Sequence, residues 1–87
     1  MITKKVSEII NNYDLEGLLS IGAPKDEYIT EIQAITAFIV NNYKRLNPII
    51  LADNIQFVFF KYFKTFYDFE TCEKIATDII ISVKGGF

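Results

Sequence analysis

Four of the carboxylates between residues 14 and 31 are the residues whose types could support chemistry. They are Asp14, Asp26, Glu27 and Glu31. Carboxylate oxygens hold hard cations such as Ca²⁺ or Mg²⁺, and paired carboxylates can act as general acid and base. Their spacing lacks the alternating oxygen ligands of a calcium loop, and no second cluster of catalytic residues accompanies them. We therefore expect no metal site and no catalytic site here, and we favour a structural role.

Asp14 and Gly17 lie in a segment, residues 13–18, with the composition of a turn. An Asp side chain can accept hydrogen bonds from backbone N–H groups that follow it, and glycine adopts positive φ without steric cost. We predict that these two residues form a turn between helices. A role for Asp14 as a general base or a ligand is the alternative.

The chain lacks most of the other groups on which enzymes and metal sites depend. It has 87 residues, no histidine and one cysteine, Cys72. A Cys–His pair, an internal disulfide and a zinc site of four Cys or His ligands are therefore excluded. Because Cys72 lies on the apolar face of a predicted helix, we expect its side chain to be buried. We expect no enzymatic activity and no cofactor.

Charge and hydropathy restrict the class of protein further. The net charge is −2 and the isoelectric point is about 5.0. Nucleic-acid-binding domains usually show a basic stripe and an isoelectric point above about 9. The longest uncharged run, residues 32–43, is shorter than the roughly 20 residues that a transmembrane helix needs. We expect one cytoplasmic domain over residues 1–87, with neither nucleic acid nor a membrane among its partners.

Apolar residues recur at helical spacing in four segments, which predicts an all-α bundle of about four helices with short connections. The predicted helices cover residues 3–12, the segment from Asp26 to about residue 42, residues 48–65 and residues 69–83. Pro48 suits the first position of the third helix. The predicted N-caps are Thr3, Asp26, Asn47 and Asp68.

Several side chains point away from the predicted apolar faces and are candidates for partner binding. On the second helix, acids flank an aromatic residue in one stripe, which suits a basic partner. On the third helix, two aromatic residues lie off the main face, and aromatics are favoured interface anchors. The structural alternatives are that the first aromatic fills the edge of the core and that the third helix is central and buried. The candidates are Asp26, Glu27, Glu31, Phe38, Phe57 and Phe60.

Two motifs resemble those of a known family. Residues 24–32 read Pro-Lys-Asp-Glu-Tyr-Ile-Thr-Glu-Ile, and residues 13–18 read Tyr-Asp-Leu-Glu-Gly-Leu. The chain resembles small bacterial helical proteins catalogued as a domain of unknown function, which carry tryptophan-aspartate-proline-x-glycine-leucine and then proline-x-aspartate-glutamate-tyrosine-x-x-glutamate-isoleucine. The second motif matches at every fixed position, whereas Tyr13 and Leu15 replace the tryptophan and proline of the first. The resemblance implies an all-α fold, and relatives of this type occur as immunity proteins beside bacterial toxins.

These observations together predict a non-enzymatic module that binds a protein partner. The most concrete version is an immunity-type protein that neutralises a bacterial toxin, for example a nuclease whose basic active site attracts an acidic surface. Self-association as a homodimer through the aromatic side of the third helix is the second interpretation. A small enzyme or metal binder built on Asp14, Asp26, Glu27 and Glu31 is the third.

Overall fold

The amphipathic segments form four α-helices in the part of the chain that the computed structural model describes, residues 2–24 and 26–85. The helices are α1 (Ile2–Tyr13), α2 (Ile29–Asn41), α3 (Pro48–Phe63) and α4 (Phe69–Lys84), with a short 3-10 helix at Tyr43–Arg45. No strand occurs within these residues. The prediction of an all-α bundle of about four helices is confirmed. None of the described helices is both long enough and apolar enough to cross a membrane.

Each helix packs against two others, so the four helices form a ring. Both α1 and α3 contact α2 and α4. Residues 42–47 and 64–68 connect their helices closely, as predicted, and such short connections make neighbouring helices antiparallel. The connection between α1 and α2, residues 14–28, is longer than expected. The start of α1, the end of α2, the start of α3 and the end of α4 therefore share one end of the bundle.

One apolar stripe of each helix faces the centre of the ring and forms a continuous core. Cys72 is buried in this core, as its position on the apolar face indicated, and burial raises the pKa of its thiol to about 11. The buried hydrophobic residues are Val6, Ile10, Tyr28, Ile32, Ile35, Ile39, Leu46, Leu51, Ala52, Ile55, Val58, Phe59, Cys72, Ile75, Ala76, Ile79 and Ile80.

Side-chain caps fix the starts of α3 and α4. Asn47 Oδ1 accepts a hydrogen bond from the Ile50 backbone N–H at 2.9 Å, and Pro48 is the first residue of α3, as predicted. Asp68 Oδ2 accepts from the Thr71 backbone N–H at 3.0 Å. Each of these bonds satisfies one of the N–H groups that the first turn of a helix leaves without a partner.

Three predicted helix boundaries are wrong. Thr3 lies inside α1, because Ile2 packs against the core and extends the helix toward the N-terminus. Asp26 is not an N-cap, since α2 begins at Ile29 after a turn in which the Asp26 carbonyl oxygen accepts from the Ile29 N–H at 3.1 Å. Helix α3 ends at residue 63, not 65, because Lys64 adopts the left-handed conformation with φ of 62°.

We predict that Asn47→Ala lowers the free energy of unfolding by about 0.5–2 kcal/mol, because it removes the cap of α3. Urea unfolding followed by circular dichroism measures this change. Asn12→Ala is the matched control, since Asn12 is an exposed asparagine within α1. An equal loss in both variants would contradict a capping role for Asn47.

Candidate protein-binding surface

The Asp14 carboxylate holds the α1–α2 connection in its conformation. Its Oδ1 accepts hydrogen bonds from the Tyr28 hydroxyl at 2.7 Å and the Leu19 N–H at 3.0 Å, and its Oδ2 accepts from the Ser20 N–H at 3.0 Å. The pKa of Asp14 is lowered, and the hydrogen bond from Tyr28 is the main cause. Asp14 and Gly17 both have positive φ, 50° and 69°. Asp14 is therefore a turn former whose two oxygens are occupied by its own chain.

Two tyrosines anchor this connection to the core. The fully buried Tyr28 also accepts a hydrogen bond from the Glu16 N–H at 3.0 Å, and its ring centre lies 6.2 Å from that of Phe59. The Tyr67 hydroxyl donates to the Leu15 carbonyl oxygen at 2.8 Å and to the Glu16 carboxylate. Neither Tyr28 nor Tyr67 was among the site residues predicted from the sequence. Their residue type could have indicated this role, because a buried tyrosine hydroxyl usually needs a hydrogen-bond partner.

The acidic stripe predicted on α2 is not an exposed surface. Glu31 is only 3% exposed. Phe38 is half-buried and packs against the core, which is the structural alternative. Asp26 and Glu27 are exposed. The expectation that Glu31 and Phe38 form an exposed docking face is therefore wrong.

The Glu31 carboxylate is buried, and no metal-binding group surrounds it among the described residues. Its Oε1 atom has no hydrogen-bond partner among the described residues. Burial is the main cause that raises its pKa, and the charges of Glu16 and Glu27 raise it further. Within the described residues, no group of three or more Cys, Asp or Glu side chains is arranged to hold a metal ion.

A groove with charged side chains in its lining lies along α4. It has a volume of about 490 Å³ and includes Tyr13, Glu73 and Asp78. The Tyr13 hydroxyl donates to Asp78 Oδ2 at 2.6 Å, and this bond is the main cause that raises the pKa of Tyr13 to about 12. The Tyr13 hydroxyl is therefore protonated at neutral pH.

Three phenylalanines on α3 and the following segment line a second groove of about 350 Å³. Their exposed fractions are 61% for Phe57, 48% for Phe60 and 70% for Phe66. We call this feature the aromatic groove, and its residues are Asp53, Gln56, Phe57, Phe60 and Phe66. Phe57 and Phe60 are thus on an outer face of α3, and the alternative that α3 buries them is wrong.

The end of α3 positions Phe66 beside the helix. The backbone of Lys64 is in the left-handed conformation, so the chain turns back after α3. The Phe66 ring then meets the Phe60 ring edge to face, with 6.2 Å between the ring centres. Gln56 Nε2 donates to the Tyr67 carbonyl oxygen at 2.8 Å and fixes the segment against α3. The predicted third helix ran through residue 65 without this reversal, so Phe66 was not among the predicted site residues.

We predict that Tyr28→Phe lowers the free energy of unfolding by about 1–3 kcal/mol, because it leaves the Asp14 carboxylate and the Glu16 N–H without a buried partner. Thermal and urea unfolding measure the change. Tyr62→Phe is the matched control, since Tyr62 is exposed. The double variant with Asp14→Asn should lose less than the sum of the single losses. Additive losses would contradict direct coupling of Asp14 and Tyr28.

We predict that Glu31→Gln raises the melting temperature at neutral pH. The folded-state pKa of Glu31 lies above its ordinary value of 4.5, so the folded protein binds this proton more tightly than the unfolded chain does. The free energy of unfolding therefore falls as pH rises from 4.5 through the folded-state pKa. The advantage of the variant should disappear below about pH 4, where the Glu31 carboxyl is protonated in both states.

Thermal melts of wild type and Glu31→Gln across a pH series measure this effect, with the exposed Glu8→Gln as control. A lower melting temperature for Glu31→Gln at neutral pH would show that the buried charge is stabilised by a partner.

Comparison with known proteins gives a family but no function. A family model described as a domain of unknown function (DUF1871) matches residues 5–86. No curated protein matches the chain, and no solved structure does. The resemblance seen in the sequence is confirmed at the level of a family of unknown function with an all-α fold. Because the match covers nearly the whole sequence, this chain belongs to the DUF1871 family.

Proposed function

We propose that this protein is a non-enzymatic module that binds another protein, and that the aromatic groove is its contact surface. The observation that carries the proposal is the exposure of three phenylalanines, Phe57, Phe60 and Phe66, in one groove. Exposed aromatic side chains contribute little to folding and favour aggregation, so a contiguous exposed group is typical of an interaction site. Aromatic residues at the centre of an interface often dominate its binding energy.

The groove is rigid enough to bind without a large loss of conformational entropy. Phe57 and Phe60 lie on a regular helix, and the Gln56–Tyr67 hydrogen bond holds the segment that carries Phe66. A surface that is already in its bound conformation loses little entropy on association. This supports recognition of a folded partner.

The polar residues of the groove indicate the chemistry of the partner. Asp53 is exposed at the edge of the groove. A partner that inserts an apolar side chain between the phenylalanines and places an arginine or lysine near Asp53 would match both features. Arginine is the better fit, because it can also stack on the exposed phenylalanine rings.

The most concrete version is an immunity-type protein that neutralises a bacterial toxin. Its support is the small size of the chain, its net charge of −2 and the resemblance in the motifs at residues 13–18 and 24–32. Exposed acids also lie at the end of the bundle toward which the groove extends. These are Asp26, Glu27, Asp68 and Glu70. A basic toxin domain, such as a nuclease, would be attracted to this end.

Self-association is the second candidate, and the aromatic groove itself favours it. A two-fold arrangement in which the outer faces of α3 meet would bury Phe57 and Phe60 of both copies against each other. In this arrangement the same side chains serve as anchors, so the two candidates differ only in the identity of the partner.

We predict that the double variant Phe57→Gln and Phe66→Gln binds its partner at least about tenfold more weakly, because two central anchors are lost. The partner to test is a toxin encoded by the neighbouring gene, by titration of the purified proteins and by protection of cells that express the toxin. Tyr62→Gln is the matched control, since Tyr62 is an aromatic residue of the same helix that lies outside the groove and is 43% exposed. Thermal melts should show that all variants remain folded.

Wild-type affinity and full protection in the double variant would contradict a role for the aromatic groove. Sedimentation separates the two candidates. A wild-type dimer that dissociates in the double variant, together with no binding to the neighbouring toxin, would favour self-association.

A further inference from the structure

The end of the bundle opposite the α1–α2 connection concentrates positive charge. Residues 2–5, 40–50 and 81–85 meet there, and the sequence of these three segments contains no Asp or Glu. Lys5 Nζ donates to the Ser82 carbonyl oxygen at 3.0 Å, and Lys84 Nζ lies 4.9 Å from the centre of the Tyr43 ring. We call this end the basic pole, and its cations are Lys4, Lys5, Lys44, Arg45 and Lys84.

Large apolar side chains are exposed among these cations. Val40 at the end of α2, Ile49 in the first turn of α3 and Ile81 in the last turn of α4 are all exposed. Tyr43 is also partly exposed beside them. Lys44, Arg45 and Lys84 have a structural explanation, since lysine and arginine are favoured near helix C-termini. Lys4 and Lys5 do not, because they lie in the first turn of α1. That explanation does not account for exposed aliphatic residues on three different helices.

We propose that the basic pole docks end-on to the surface of a bilayer that contains anionic lipids. Cations attract the negative headgroups, aliphatic side chains enter the boundary of the acyl chains, and tyrosine is favoured at the interface between them. The exposed acids Asp26, Glu27 and Glu70 lie at the other end of the bundle. Their repulsion from the same surface orients the molecule with the basic pole toward the lipid.

The other anionic partners fit the basic pole less well. A nucleic acid would use several aromatic side chains for base stacking, and the pole offers Tyr43. An acidic protein would supply carboxylates at discrete positions, whereas these cations are spread over the ends of three helices. We expected no membrane partner because no segment is long enough to cross a bilayer, but surface docking needs no such segment. This proposal does not depend on the aromatic groove.

Sedimentation of the full chain with lipid vesicles tests the proposal. The wild type should bind vesicles of phosphatidylcholine mixed with phosphatidylglycerol, should not bind vesicles of phosphatidylcholine alone, and should dissociate as salt rises. Lys44→Glu with Arg45→Glu should weaken binding by about tenfold or more. Lys61→Glu with Lys74→Glu is the matched control, because it changes the net charge equally at exposed positions outside the pole.

Val40→Gln with Ile49→Gln tests the apolar contribution without a change in charge and should also weaken vesicle binding. Circular dichroism establishes that each variant is folded, and the two pole variants provide independent tests. No binding of the wild type to anionic vesicles, or equal loss in the pole and control variants, would overturn the proposal. So would displacement from the vesicles by glycerol phosphate or tighter binding to a short DNA duplex, since either result would assign the pole to another anion.

Discussion

The hydrogen bond from the Tyr28 hydroxyl to the Asp14 carboxylate is the interaction on which this structure depends most. It links the longest helix connection to the aromatic part of the core, where the Tyr28 ring meets Phe59 and Phe63. Because the Tyr28 ring is fully buried, its hydroxyl must find a partner within the protein. Asp14 supplies that partner and also accepts from backbone N–H groups of the connection. This contact therefore ties the residue immediately before α2 to the α1–α2 connection.

The outer face of α3 and the basic pole are both consequences of the four-helix ring. Each helix has neighbours on two sides, so α3 keeps one face without a neighbour, and that face carries Phe57 and Phe60. The antiparallel order of the helices brings the five cations of the basic pole to one end. The exposed acids Asp26, Glu27, Asp68 and Glu70 lie at the other end, together with Lys61 and Lys64. A bilayer at the basic pole would leave the aromatic groove accessible, since the groove lies toward the C-terminal end of α3. The two proposed contacts are therefore sterically compatible.

Local features of the sequence predicted most of the fold correctly. Helical periodicity located all four helices, because each stripe of apolar residues is read from neighbouring positions. Asn47, Pro48 and Asp68 were assigned correctly for the same reason, since a cap and its N–H partner lie within one turn. The turn at Asp14 and Gly17 is local as well. The aromatic side of α3 was identified, but whether it was central or exposed depended on its neighbours.

The sequence by itself determined the four helices, the N-caps of α3 and α4 and the residues able to form a core, because these follow from interactions within a few residues. Only the tertiary structure decided that Glu31 is buried, that Phe38 packs on the core and that Phe57 and Phe60 are exposed. Burial of a side chain depends on which helices surround it, and those helices are distant in the chain. The basic pole arises in the same way, because three segments that are far apart in sequence meet at one end of the bundle.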